Sequence, residues 1–595
     1  MRNNEGEVIA RTRTGVGQGD PCAPCYFELG IHPALLHLQE LIQEIEAEYS
    51  LRFPDRQVRN PASVVAYEDD TMIRGDPEII YLIAPRLADH FDSFGFEVKI
   101  EKSKITGTNL APANQPEDFT VQPNGFIVLG IPIGSPQYCE EKTRDLLLDM
   151  APPLLALRLL KPRSGFQLVS KCFSGRPAYL LRAISSFSEV AEYAEDFDKS
   201  ICSAIMMLLQ LTMTEVIRTR IYLPRQQGGI GLIRHHGMIT EKNQVISRLL
   251  FLEFLHTYYP NEAAFTQDNY NLKAVHMGDC EGIRELTEIS EEDMAQMTHQ
   301  TAGAVLQAGK VKAAKAVAAS LLSELADSIS TRQEAAWFLS STTVCTAFLD
   351  STVGIAAEKF FSSEDFRCAA RAKLGVGPSS DHPEMIKVCA CRRAYVAGEE
   401  PFHGISCFLN RGLRTRCHTE IVNLLVTLLK KRFPAGNIGK EKLVGATLPL
   451  NGVVSEVYAD IVARVGAVTY CIDVSTVDPG CRKAMAGAPS SVTTCDAAAK
   501  TREASKRVHY NRVATPARLS AESVIPFVIE TTGRLGPAAL SFLFSVCGTH
   551  TLLRSQFLNS IVLLLNRSNG SMLRATRDRF VLYPQNGGAA NPMPA

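Results

Sequence analysis

Val64-Val65-Ala66-Tyr67-Glu68-Asp69-Asp70-Thr71-Met72-Ile73 sets three acidic side chains between two short apolar runs. Two such runs, rich in β-branched and aromatic residues and joined by a polar tip, form the pattern of a β-hairpin. Adjacent carboxylates at a rigid tip repel each other unless a cation lies between them. Mg²⁺ or Mn²⁺, which take oxygen ligands and keep positions open for phosphate oxygens, suit that place. A pair of such ions serves phosphoryl or nucleotidyl transfer. The competing reading is a solvated acidic turn, and the flanking sequence has to decide between the two.

Upstream lies Thr14-Gly15-Val16-Gly17-Gln18-Gly19-Asp20-Pro21. Its glycines let backbone approach a ligand without a Cβ in the way, and a Gly-rich turn entering a helix can cradle phosphate. The helix-compatible run Tyr26 to Ile42 follows, interrupted at Pro33. Downstream come Gly95 to Ile100, then Glu101-Lys102-Ser103-Lys104, then Phe126-Ile127-Val128-Leu129-Gly130-Ile131-Pro132-Ile133.

The chain has 595 residues, 46% of them hydrophobic and 21% charged, with a net charge of −1. Those proportions belong to ordinary globular protein, and the length suggests about three to five domains. A nucleic-acid role cannot come from the total charge and must come from local clusters of Lys and Arg. Sixteen scattered cysteines, with no apolar leader at the start, indicate a reduced nuclear or cytoplasmic compartment rather than a secreted protein. No uninterrupted apolar run is long enough for a transmembrane helix.

Residues 141 to 260 alternate helical patterns with short breaks, and Leu223-Pro224-Arg225-Gln226-Gln227-Gly228-Gly229 is a turn cluster. Ala302 to Ala326 reads as helical packing or spacer. Phe366 to Gly375 is a basic helix with a glycine stop, suited to a phosphate backbone or to a solvated face. Beyond it Cys389, Cys391, His403 and Cys407 supply four zinc ligands within a short segment, with His418 as a substitute. Between Lys387 and Lys440 ten Lys and Arg residues stand against Glu399, Glu400 and Glu420, the footprint of a DNA or RNA grip.

Val457-Tyr458-Ala459-Asp460-Ile461-Val462 and Tyr470-Cys471-Ile472-Asp473-Val474-Ser475 each carry one aspartate inside an apolar β run, thirteen positions apart. A hairpin would bring both carboxylates to one edge, able to share a metal. The helix-forming stretch from Ala497 to Lys506 offers Lys500 or Lys506 to orient water or to stabilise charge on a phosphate. From Asn586 the Gly-, Ala-, Asn- and Pro-rich tail is expected to be disordered.

The order Gly-x-x-Gln-Gly-Asp-Pro, Tyr-x-Asp-Asp, Lys-Ser-Lys and Leu-Gly-Ile-Pro-Ile resembles the palm of reverse transcriptases, in particular those of non-LTR retrotransposons. The segment after the cysteines resembles the restriction-like endonuclease domain of the site-specific members, with Arg416-Cys417-His418 as the step that precedes it. The resemblance implies that Tyr67, Asp69 and Asp70 form the polymerase hairpin. It places Gln18, Gly19 and Asp20 along the nucleotide and template track, and Lys102 or Lys104 near the triphosphate. It assigns Asp460, Asp473 and Lys500 or Lys506 to DNA cleavage. Departures are Ala23, Glu68 and Ala459 in place of the family's usual residues. No aspartate precedes Gly15 to complete the polymerase metal pair, so a half palm is expected.

The fold class expected is α+β multidomain. Residues 1–135 form a partial palm, 136–255 a helical thumb and 256–385 a helical linker. Residues 386–420 form a zinc knuckle, 421–545 a restriction-like (PD-(D/E)XK) endonuclease, and 546–595 a terminal helix and tail. The function implied is target-primed reverse transcription with DNA nicking, using element RNA, target DNA, dNTPs, Mg²⁺ or Mn²⁺ and Zn²⁺. The rival is an inactive remnant that only binds nucleic acid.

Overall fold

The computed structural model describes residues 23–56, 58, 60–67, 70–107, 116–183, 190–236, 332–341, 347–350, 360–377, 385–392, 394–395, 403–447, 456–487, 494–511, 513–514 and 524–584, with isolated positions between 311 and 325. It mixes helices with small sheets, and the chain divides into two compact units, Met1–Asp145 and Leu146–Ala595. Among the described residues no helix is long and apolar enough to cross a membrane.

In the first unit, α1 (Ala23–Arg52) continues past Pro33. The carbonyl that Pro33 cannot bond belongs to Leu29, which is 67% exposed, so water can satisfy it. The hairpin of β1 (Ser63–Tyr67) and β2 (Asp70–Arg74) pairs antiparallel from Ser63↔Arg74 to Tyr67↔Asp70. Strand alternation sends Val64 and Ile73 into a core with Ile31, Leu38 and Ile42 of α1, together with Ile79 of α2 (Pro77–Ile83) and Phe91 of α3 (Leu87–Ser93). Val65 and Tyr67 point the other way and are 57% and 58% exposed. Short pairs follow: β3 (Lys104–Ile105) with β4 (Thr120–Val121), and β5 (Gly125–Val128) with β6 (Ile131–Gly134). Leu129 (φ 50°) and Gly130 (φ 79°) form the two-residue turn between β5 and β6, whose two positive φ values match the right-handed strand twist.

The second unit begins with helices around α4 (Ala191–Leu209) and α5 (Glu215–Tyr222), whose apolar faces share one core with Phe166, Phe348 and Phe366. In the Leu223–Leu232 turn, a Cβ on Gly229 would lie 1.9 Å from the Leu223 carbonyl oxygen, so this position takes only glycine. Leu223 packs with Leu321, Leu325 and Phe338, the last on α6 (Arg332–Ser340).

α7 (Ser363–Lys373) overturns both expectations for the basic helix. Arg371 and Lys373 are 2% and 5% exposed, neither solvated nor offered to a phosphate. Arg371 donates to the carbonyls of Gln210 and Gly377, and Lys373 Nζ donates to Ser341 O at 2.6 Å. These cations tie loops together through backbone oxygens.

β7 (Met385–Cys389) and β8 (Ala394–Tyr395) open the cysteine–histidine segment, and α8 (Arg411–Arg432) leads out of it. A five-stranded sheet follows: β9 (Asn437–Thr447), β10 (Glu456–Val465), β11 (Val468–Val477), then α9 (Ala497–Asn511), β12 (Val513–Ala514) and β13 (Val524–Glu530). The strand order is β12-β9-β10-β11-β13, antiparallel except for the parallel β11–β13 pair that α9 connects. α8, α10 (Pro537–Cys547) and α11 (Thr551–Arg577) bury Ile421, Leu425, Phe542, Leu543, Ile561 and Leu565 against Ile461, Ile472, Val474 and Phe527 of the sheet. β14 (Phe580–Pro584) then pairs with β7. The terminal helix, set apart in the sequence reading, is therefore part of this core and leads back to the cysteine–histidine segment.

Candidate active site and metal centre

β10 and β11 form a tight hairpin whose mutual ladder ends at Ile461↔Ile472. Beyond that point β10 continues only along β9, and β11 only along β13. The sheet forks there, and the next residues on the two strands are Asp460 and Asp473. Alternation puts Asp473 on the face opposite Ile472. Ala459 packs with Cys471 and Ile461 packs with α8, so the alternation of β10 breaks at Asp460, which sits in the fork between the two faces. A register shift between β9 and β10 at Val457/Tyr458 adds local bend just before the fork.

Asp460 fills the fork. Its Oδ2 accepts from Val474 N–H at 2.7 Å, replacing the strand carbonyl that the parted ladder no longer supplies. His418, on α8, sets Nε2 3.4 Å from the same Oδ2 and 3.3 Å from Val474 O. Burial opposes ionisation of Asp460. The His418 bond, the charge on that ring and the Val474 N–H outweigh it and hold the carboxyl below its ordinary value. In turn the Asp460 bond outweighs burial and raises the His418 pKa above its ordinary value.

Asp473 is 7% exposed and its carboxylate is met by Lys506, with Nζ 3.0 Å from Oδ1 and 2.8 Å from Oδ2. Lys500 lies six residues earlier on α9, is exposed, and pairs with Asp496 at 2.8 Å. Of the two lysines left open by the sequence, Lys506 is the one the fold brings to the carboxylates. Tyr510, one turn beyond Lys506, is buried with Cys471, and its hydroxyl donates to Tyr458 O at 3.4 Å. Burial, then the charge of Asp473, pushes its phenol above the ordinary range. Sequence reasoning left Tyr510 without a role and offered His418 only as a substitute zinc ligand. The four-residue step from Lys506 to Tyr510 was the available signal for the first.

α9 is pinned at its start as well. Glu530 Oε1 accepts from Ala499 N at 3.2 Å, and Glu503 Oε1 accepts from Ala538 N at 3.0 Å where α10 begins. Burial raises the pKa of both glutamates.

Cys389, Cys391, His403 and Cys407 place one ligand atom each within 4.8 Å of all the others, and can hold a metal ion. Cys389 Sγ and Cys407 Sγ are 3.9 Å apart, and Cys391 Sγ and His403 Nε2 are 3.2 Å apart. A tetrahedron with Zn–S near 2.3 Å and Zn–N near 2.0 Å has edges of about 3.5–3.8 Å, so the four atoms fit zinc. Burial pushes the Cys389 thiol up to about 12 and raises Cys407, a state that a bound cation reverses. Among the described residues this is the one group of three or more metal-type ligands; Asp460 and Asp473 supply two. His418 faces Asp460 instead, because α8 turns it toward the sheet.

The cluster is fastened to α11. Asn410, 1% exposed, donates to Gly404 O, Met572 O and Thr576 Oγ1 at 2.7–3.1 Å, and Arg414 donates to Cys407 O at 2.6 Å.

In the first unit Tyr67 and Asp70 face each other across the base of the hairpin tip, both exposed. Asp69, Gln18, Gly19 and Asp20 lie outside the described residues, as does the tail from Asn586. Lys102 and Lys104 are exposed, at the end of a short 3-10 turn and in β3. No protein-family model and no curated protein matches the sequence.

Proposed function

We propose that the second unit carries a metal-dependent DNA-nicking site, and that the chain is a protein of the non-LTR retrotransposon kind. The observation that supports this most is the meeting of Asp460, Asp473 and Lys506 at the strand fork. Two carboxylates meeting at one fork offer hard oxygen ligands. A divalent cation held there would act as Lewis acid on the scissile phosphate and activate an attacking water. Asp460 spends Oδ2 on Val474 N–H and His418, which leaves Oδ1 outside both bonds and fixes its direction. Lys506 balances the charge of Asp473 in the metal-free protein. Once a cation takes that role, the ammonium is released to bind a phosphate oxygen, where charge accumulates during cleavage. Zinc held by Cys389, Cys391, His403 and Cys407 would stiffen the entry to α8, whose exposed Arg411 and Arg416 suit a phosphate backbone.

The polymerase assignment rests on motif order in the first unit, with element RNA, dNTPs and the nicked target as its substrates. The test is nicking of supercoiled DNA. The parent chain is expected to nick with Mg²⁺ or Mn²⁺ and Asp473→Ala to lose the activity. A parent chain that binds DNA and leaves it uncut refutes the nuclease and favours the binding-only remnant.

A further inference from the structure

α9 crosses β11 in matched register. Arg502 Nε donates to Ser475 Oγ at 3.0 Å, Lys506 pairs with Asp473, and Tyr510 packs on Cys471. Four helical residues advance about 6 Å, and two strand residues advance about 6.7 Å, so each helical turn meets the next outward residue of the strand. Arg502 therefore stands one rung from the Lys506–Asp473 pair on the same face. Ser475 is 7% exposed, while Arg502 is exposed. Lys500 and Lys506, elsewhere on the same helix, are matched by Asp496 and Asp473. Arg502 is held by a neutral hydroxyl, so its charge is not cancelled there, and the bond uses Nε and leaves both Nη nitrogens for an anion.

From this geometry we infer that Arg502 binds the backbone phosphate next to the scissile one on the same DNA strand, with Ser475 as its positioning residue. The inference rests on the nuclease reading. A guanidinium fixed at Nε presents its remaining N–H groups as a planar fork, the geometry that matches two phosphate oxygens. A lysine at this position would supply charge without that fork.

The experiment combines protein variants with DNA carrying a single neutral methylphosphonate at each phosphate around the nick. In the parent chain one flanking methylphosphonate is expected to slow nicking about 10- to 100-fold, the value of one charge-assisted contact. Arg502→Ala is expected to lose a similar factor on native DNA and to become indifferent to that methylphosphonate. Ser475→Ala raises KM more than it lowers kcat, and Ser475→Thr, which keeps the hydroxyl, restores the parent's KM. Arg502→Ala nicking native DNA at the parent's rate overturns the inference alone, as does Arg502→Ala staying as sensitive to every methylphosphonate as the parent. A parent chain that does not nick overturns the nuclease reading and this inference with it.

Discussion

Lys506→Met separates the charge pair from its surroundings, because methionine keeps the length of the side chain and removes the ammonium. The side chains of Lys506 and Asp473 are 19% and 10% exposed, so solvent screens them little. Breaking such a pair leaves a buried carboxylate without its partner, at a cost of about 3–5 kcal/mol. In a unit of this size that corresponds to a melting temperature lower by roughly 3–5 °C. Nicking should fall by about 10²–10³, the range for losing one preorganised donor to developing charge. Adding Asp473→Asn to Lys506→Met removes the second charge as well. The double variant is expected to regain most of the lost stability, because deleting both members of a buried pair is nearly neutral, while nicking stays lost. Lys500→Met is the control: its side chain is 55% exposed, and it should melt and nick like the parent. Differential scanning calorimetry and the nicking assay read the series. Lys506→Met melting with the parent, or Lys500→Met losing activity, refutes the assignment of Lys506.

Two further outcomes follow from the same unit. Purified chain should carry one zinc ion by atomic absorption, and Cys407→Ala should lose it and melt lower; a fully stable, metal-free parent contradicts the fit of the four ligands. In EDTA, the stability advantage of the parent over His418→Gln should depend on pH from both sides. The raised His418 pKa gives stability that is full below about pH 6.5 and is lost as pH rises through the folded value. The lowered Asp460 pKa gives stability that is present above about pH 3.9 and is lost as pH falls through the folded value. The advantage should therefore be greatest between about pH 4 and 6.5, and thermal melts across pH 3–9 showing it to grow in alkali would refute the ion pair.

The two aspartates of the fork were legible because each interrupts a β-branched run, and the spacing between those runs matched a hairpin. The choice between Lys500 and Lys506 was not. Both lie on one helix-forming stretch, and only the docking of α9 on β11 selects which turn faces Asp473. His418 was offered as a substitute zinc ligand because it follows the cysteines closely in sequence, and sequence distance does not show which way a helical residue faces. Successive helical residues point about 100° apart, and Cys417 enters the apolar core while His418 turns to the fork. The basic helix α7 was misread for a different reason. Periodicity marks which residues share a face, and it does not say whether a cation on the inner face meets water or a ring of backbone carbonyls.

The attachment of the cysteine–histidine cluster to α11 has a consequence in time. Asn410 and the Met572 carbonyl that it grips are 162 residues apart in the chain. At ribosomal speeds of about 5–20 residues per second, that separation is roughly 8–30 s of synthesis. Throughout that interval the four ligands have emerged while their backing helix and the partner strand of β7 have not. A growing chain must keep three thiols reduced, or already hold the metal, before the platform that stabilises the site exists. Zinc supply and reducing conditions during translation should thus govern how much of this protein reaches its folded form.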